Sequence, residues 1–428
     1  MIRTDHTAKP LRPTAVHNAL EEYRAIRSAS ERLCAPLAIE DYGVQGMPEV
    51  SPPKWHLAHT TWFFENFILI PYGTRYRVFH PRYGYLFNSY YETVGSCFPR
   101  AKRGLLARPT VDEVYRYRAQ VDAAMAELLT GPGPHPDVVF RTVLGLHHEQ
   151  QHQELLLTDI KYNFALNPLR PAYRSAADGR PRPAPPLSWL EYPGGLQEIG
   201  HAGAEFAFDN ETPRHRVWLR DYRLASRPVT NGEFLEFMEA GGYRRPECWL
   251  ADGWERVRQA GWQAPLYWER LDGEWWQMTL SGMQRVDEHQ PVCHVSFFEA
   301  DAYARWRRKR LPSEEEWERA AAACPIQGNF RESGLYHPVT ADTRPEQPAQ
   351  LFGDVWEWTS SPYRPYPGFQ PLKGSLGEYN GKFMSQRMVL RGGSCATPAA
   401  HIRATYRNFF YPEERWQFMG FRLAEDAA

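Results

Sequence analysis

The chain has 428 residues, and its 50 Lys+Arg against 51 Asp+Glu leave a formal charge of −1. At about 150 residues per domain that length supports two or three domains whose cores need neither metal nor disulfide as a staple, and the near-neutral balance gives no electrostatic footprint for nucleic acid or an anionic membrane. Apolar stretches too short to span a bilayer, an N-terminus without the apolar core of a signal peptide and six cysteines with no C-x-x-C pair point to a cytoplasmic protein without a disulfide framework.

Hydrophobic periodicity predicts four helices in the first 165 residues. The first starts after Thr14 and runs toward Cys34, with Leu20, Tyr23 and Leu33 facing inward. The second covers about Trp55 to Ile70, after Pro52-Pro53. Thr110 and Glu113 have capping-box spacing for the third, whose stripe is Val111, Val114, Arg118, Val121, Met125 and Leu128. Gly131-Pro132-Gly133-Pro134 stops it, and the fourth runs from about Asp137 to Phe164. Phe87 to Arg108 reads as an aromatic and basic crossover. Residues 166–188 are linker by composition, rich in Pro, Arg and Ala. Residues 189–428 alternate short strand-like runs with turns and clustered tryptophans. Only Asn231–Ala240 and Ser313–Ala323 read there as helices, which predicts an α+β domain.

The fourth helix carries His148 and His152, four residues apart and so on one face, with Leu144 and Leu155 continuing that face inward. Two imidazoles on an apolar stripe are costly unless their nitrogens are satisfied, which a shared metal would do. A third ligand is expected from the second helix, where His56 and His59 both qualify and His59, preceding Phe63 on the same face, is favoured. His148-Glu149-x-x-His152 also fits the H-E-x-x-H pattern of zinc proteases, with Glu149 as base and Asp159 as a downstream ligand. The pattern is short, and no H-x-x-G-x-x-H continuation follows. Three neutral imidazoles leave up to three positions of an octahedral ion, which suits Fe(II), whereas tetrahedral zinc would keep one.

Leu57-Ala58-His59 together with His148-x-x-x-His152-x-Glu154 resembles the DinB-like four-helix bundle of the ergothioneine-pathway sulfoxide synthases. The second half resembles their other domain, a relative of formylglycine-generating enzymes with a C-type-lectin-like core. The blocks that carry this are Pro228-Val229-Thr230-Asn231, Pro291-Val292-Cys293-His294-Val295-Ser296, Leu311 to Glu318, Gly353-Asp354-Val355-Trp356-Glu357-Trp358, Arg391-Gly392-Gly393-Ser394 and Gly420-Phe421-Arg422. One departure is that formylglycine-generating enzymes hold a pair of reactive cysteines after Arg-Gly-Gly-Ser, where only Cys395 stands here. The resemblance implies an Fe(II)- and O2-dependent enzyme that joins cysteine sulfur to C2 of the imidazole of hercynine and oxidises that sulfur to a sulfoxide. Variants of the same chemistry would use γ-glutamylcysteine, histidine as in ovothiol synthesis, or a selenium donor.

Site roles follow from the same resemblance. His59, His148 and His152 would hold the metal. Gln151 would hydrogen-bond the hercynine imidazole, and Asn408-Phe409-Phe410 would receive hercynine, whose trimethylammonium group needs aromatic faces. Arg100 and Arg103 would clamp the donor carboxylate. Phe410 stands where relatives using γ-glutamylcysteine carry an acid, which favours free cysteine. Tyr90 or Tyr91 would supply a proton.

Overall fold

The computed structural model describes residues 14–131, 135–176, 182–342 and 346–427. The chain divides into two compact units, Met1–Leu156 and Leu157–Ala428. The expected boundary at 165 follows the end of the fourth helix, whereas the division falls inside that helix, whose final residues belong to the second unit. The expected stop at 132–134 and the linker residues 177–181 lie outside the described residues.

The first unit is built on α1 (Thr14–Cys34), α2 (Pro53–Phe64), α3 (Val111–Thr130) and α4 (Pro136–Leu166). Pro53 stands in the first turn of α2, where its missing N–H costs nothing. Every residue of α2 is buried, so its polar side chains must find partners inside. A π turn over Glu65–Leu69 prolongs α2, and its buried Glu65 accepts from Tyr76 at 2.5 Å, Tyr117 at 2.6 Å and the Phe79 N–H at 3.1 Å. The α3 capping box forms as expected, with Glu113 N–H on Thr110 Oγ1 at 3.1 Å and Thr110 N–H on Glu113 Oε2 at 2.7 Å. Val114, Arg118, Val121 and Met125 are buried. Val111 and Leu128 are only half-buried, and Tyr117 and Leu129 complete the inward face instead.

The second unit joins four small sheets to short helices. Strands β1 (Trp189–Tyr192), β4 (Tyr222–Ala225) and β12 (Ala424–Asp426) form one sheet in the order β1-β4-β12. Strands β8 (Trp356–Pro362), β9 (Met388–Arg391), β10 (Asn408–Phe410) and β11 (Met419–Gly420) form another, β10-β9-β8-β11, with β11 parallel to β8. The remaining pieces are the ribbon β2 (Gly195–Ile199) with β3 (His215–Leu219), and the meander β5 (Trp268–Leu271), β6 (Glu274–Thr279), β7 (Gly282–Arg285).

The helices are α5 (Asn231–Glu239), α6 (Ala251–Ala260), α7 (Phe297–Trp306) and α8 (Glu314–Ala321). Two of these, α6 and α7, were not expected. Helix α6 is short and its Trp254 sits among tryptophans that read as strand texture, while α7 is buried along most of its length and so shows no clear amphipathic period. Several of the recurrent sequence blocks act as internal brackets. Buried Glu357 of β8 accepts from Arg422 at 2.6 Å on each oxygen and from Trp317 Nε1 of α8 at 2.9 Å. Thr230 and Ser313 cap α5 and α8 with the partner glutamates Glu233 and Glu316.

Candidate metal centre

His59, His148 and His152 come together, each offering one nitrogen, with these atoms all within 4.8 Å of one another. His59 is fully buried on α2, and the other two lie one turn apart on α4. His59 Nε2 is 3.1 Å from His148 Nε2, and the His152 ring centre is 4.7 Å from both of the others. Burial pushes His59 and His152 well below the usual imidazole range, and pushes His148 down to about 4. All three are neutral at neutral pH, the form that donates a lone pair to a metal.

The outer nitrogens are held unequally. His59 Nδ1–H donates to the Phe87 carbonyl at 2.5 Å, which leaves Nε2 bare and turned to the cluster. His152 Nδ1 lies 2.8 Å from Nδ1 of His56, so His56 sits behind the cluster rather than in it. His148 Nδ1 is buried and has no hydrogen-bond partner. With His59 Nε2 bare, the short contact to His148 Nε2 requires a proton on the His148 side, and a buried Nδ1 lone pair is then wasted. A metal in the cluster would take a lone pair from each ring in place of that ring-to-ring contact, so the nitrogen donor set fits a metal ion.

Flat groups stack along His59. Trp55 lies on one face at 4.5 Å and 14°, and Trp62 on the other at 5.7 Å and 12°. Outside Trp55, the Arg103 guanidinium sits 3.4 Å from the indole centre. Phe63 stacks on His148 at 4.9 Å and 29°. Nothing in the sequence marks the Phe87 carbonyl, because a backbone acceptor has no residue signature. The stack was legible in principle from Trp55-x-x-x-His59-x-x-Trp62, whose spacing puts all three on one helix face.

Glu149 is turned away from any substrate. Its carboxylate is fully buried and accepts from Ser30 Oγ at 2.6 Å, Arg27 at 2.9 Å and Arg118 at 3.1 Å. Burial raises its pKa, but the two guanidiniums outweigh that and hold it down at about 2. A general base needs a lone pair facing water or substrate and a pKa near the working pH. Glu149 has neither, which removes the ground for reading H-E-x-x-H as a zinc protease.

The other candidates are dispersed. Tyr91 is buried against Phe67 at 5.0 Å and Trp62 at 5.7 Å, and Tyr90 is half-buried with its ring 4.7 Å from that of Tyr91. Gln151 is half-buried on α4. Arg103 is buried, with its two terminal nitrogens 2.9 Å from Ser51 Oγ and Ser89 Oγ, whereas Arg100 is exposed and donates to the Glu49 carbonyl. Without a carboxylate ligand the two arginines hold separate partners. In the second unit, Asn408 and Phe410 share one face of β10 and Phe409 takes the other. Phe409 is stacked on Tyr363 at 4.2 Å and 12°, a packing contact, while Phe410 meets Trp416 edge-on at 5.5 Å.

The family with a "Sulfatase-modifying factor enzyme 1-like domain" matches residues 177–350 and 348–427. The chain is 35% identical over 410 residues to the hercynine oxygenase of Mycolicibacterium smegmatis, covering 89% of this chain and 92% of that protein. It is 32% identical over 404 residues to the hercynine oxygenase of Mycobacterium tuberculosis, again with 89% and 92% covered. A formylglycine-generating enzyme of Streptomyces coelicolor is 30% identical over 306 residues, 60% of this chain and 96% of that protein. The bacterial hercynine oxygenases thus align along both units, and with a histidine cluster suited to a metal in the first, the chain belongs to the hercynine oxygenase family.

Proposed function

We propose that the protein is an Fe(II)- and O2-dependent sulfoxide synthase that joins the sulfur of cysteine to C2 of hercynine and leaves the product as hercynylcysteine sulfoxide. The observation that carries this reading is the meeting of three neutral imidazoles from two helices, two of them buried and His152 half-buried, in a chain of the hercynine oxygenase family. The atoms balance. The imidazole C2–H and the thiol S–H are lost, a C–S bond forms, one oxygen atom stays on sulfur and the other leaves as water. Bound Fe(II) supplies the redox chemistry with O2 and the coordination positions that three protein nitrogens leave over.

The chain's own residues bind, orient and deliver protons. His59, His148 and His152 hold the metal. Gln151, on the turn between the two α4 ligands, hydrogen-bonds the hercynine imidazole. Tyr90 is the better proton donor of the tyrosine pair, since the Tyr91 ring is taken up by Trp62 and Phe67. The second domain, 189–428, binds substrate. There Phe410 and Asn408 offer a ring face and an amide to hercynine, and Phe409 backs them from the core side of the strand. Arg103 and Arg100 take the cysteine carboxylate, Arg103 by exchanging a serine hydroxyl for it. Phe410 in place of an acid favours cysteine over γ-glutamylcysteine. Among the described residues no helix is long and apolar enough to cross a membrane, and small-molecule substrates met in the cytoplasm fit that.

The deciding experiment loads the protein with Fe(II) without air, adds hercynine and cysteine, admits O2 and identifies the product by mass spectrometry. A coupled sulfoxide with cysteine is the expected result. The γ-glutamylcysteine product, or coupling to histidine or a selenium donor, would change the substrates and keep the reaction class. No coupled product with any donor would overturn the reading.

A further inference from the structure

We infer that His56 is a positioning residue for the metal centre, which acts by accepting the Nδ1 proton of His152 and so fixing which nitrogen His152 turns to the ion. This rests on the histidine cluster being a metal site. His56 is buried on the first turns of α2, three residues before His59, and its Nδ1 lies 2.8 Å from Nδ1 of His152.

Two imidazoles joined nitrogen to nitrogen share one proton in that contact, and its owner decides what His152 can do. If His56 donates, His152 must carry its own proton on Nε2, and no lone pair faces the cluster. If His152 donates, its Nε2 is bare and ready to ligate, and His56 keeps its proton on Nε2. Metal binding selects the second arrangement, so His56 must serve as acceptor. The Phe87 carbonyl performs the same task for His59, but a carbonyl can only accept. An imidazole can do either. His148 has neither kind of support at Nδ1. The three ligands are thus backed by a fixed acceptor, a switchable acceptor and none, and His56 is the one support a point mutation can remove without touching a ligand.

The test uses full-length, metal-stripped protein without air, titrated with Co(II) and followed by its visible absorption, with thermal melting alongside. His56→Ala should weaken Co(II) binding about 10- to 100-fold, the usual effect of losing an outer partner of a ligating histidine, and should alter the Co(II) spectrum. His56→Asn, whose Oδ1 can take the place of the lost Nδ1 acceptor, should recover most of the affinity. If His56→Ala does not fold, His56→Phe, a ring without an acceptor, takes its place in the comparison with Asn. In a His152→Ala background the same change should cause no further loss, because its effect runs through that ligand.

A His56→Ala or His56→Phe protein that binds Co(II) within about twofold of the parent would overturn the assignment, given the effect expected above. So would an Asn variant as weak as Phe. If His59→Ala also leaves Co(II) binding unchanged, the metal site itself fails and takes this inference with it. Loss with His59→Ala but not with the His56 variants overturns the role of His56 alone.

Discussion

The carboxylate of Glu149 ties α1, α3 and α4 together through Ser30, Arg27 and Arg118, and Arg27 continues to Asp122 at 2.7 Å and Thr61 at 2.9 Å. Glu149→Gln removes the charge that two buried guanidiniums face. Breaking one side of a buried ion pair costs about 3–5 kcal/mol, so the variant should show a large drop in urea midpoint, with metal affinity lost only as the bundle loosens. A variant of wild-type stability that had lost a hydrolytic activity would restore the zinc-protease reading. The neighbour of Glu149 was legible and Glu149 was not. Histidines spaced by four on an apolar stripe announce a shared site, but nothing in His-Glu-x-x-His tells whether the glutamate faces the ligand cavity or the arginines behind it. Arg118 carried a clue, as a charged residue inside an otherwise apolar stripe of α3, because such a residue buries only with a counter-charge.

Between elements, the close approach of α4 to α2 depends on Gly145. A Cβ there would come within 2.6 Å of Phe64 and 2.8 Å of Phe63, the ring stacked on His148. Alanine is ordinarily the better helix former by about 1 kcal/mol, but here it must push apart the two helices that supply the ligands. Gly145→Ala should therefore destabilise the protein by about 1–3 kcal/mol, as overpacking does, and weaken Co(II) binding in the same preparation. A raised melting temperature with unchanged metal affinity would show that the rings give way. Elements with local signals were read well from sequence. The Thr110 and Glu113 box is set by neighbouring residues, whereas the helix expected from about Trp55 begins at Pro53, which stands in its first turn rather than before it. The π turn after Phe64 was not legible, and its Glu65 is held by hydroxyls from Tyr76 and Tyr117, partners that no local pattern marks. The buried α7 was missed for a similar reason, its surroundings being supplied by tertiary packing.

Across the whole molecule, the order of units was visible in the change of texture near residue 166, but the point of division was not. Lys161 explains part of that. It lies within α4 yet is buried in the second unit, 2.7 Å from His294 Nε2 and over the rings of Tyr267 and Phe418 at 5.0 and 4.8 Å. No carboxylate pairs with it among the described ion pairs, and burial lowers its pKa to about 8. An ammonium whose folded pKa is depressed opposes folding while it is charged. The penalty is in full force below about pH 8 and is relieved as pH rises from there toward the unfolded value of 10.5. Lys161→Met should raise the melting temperature at pH 7 and flatten the stability profile between pH 8 and 10.5, and an unchanged profile would mean the charge is met by a buried partner. The sandwich of His59 between Trp55 and Trp62 has an optical corollary. Indoles that near a transition ion lose excited-state energy to it, so titrating in Co(II) should dim the protein's ultraviolet emission, and His59→Ala should abolish the dimming. The histidine cluster thus carries its own fluorescent reporter, and metal uptake can be followed without substrate, oxygen or turnover.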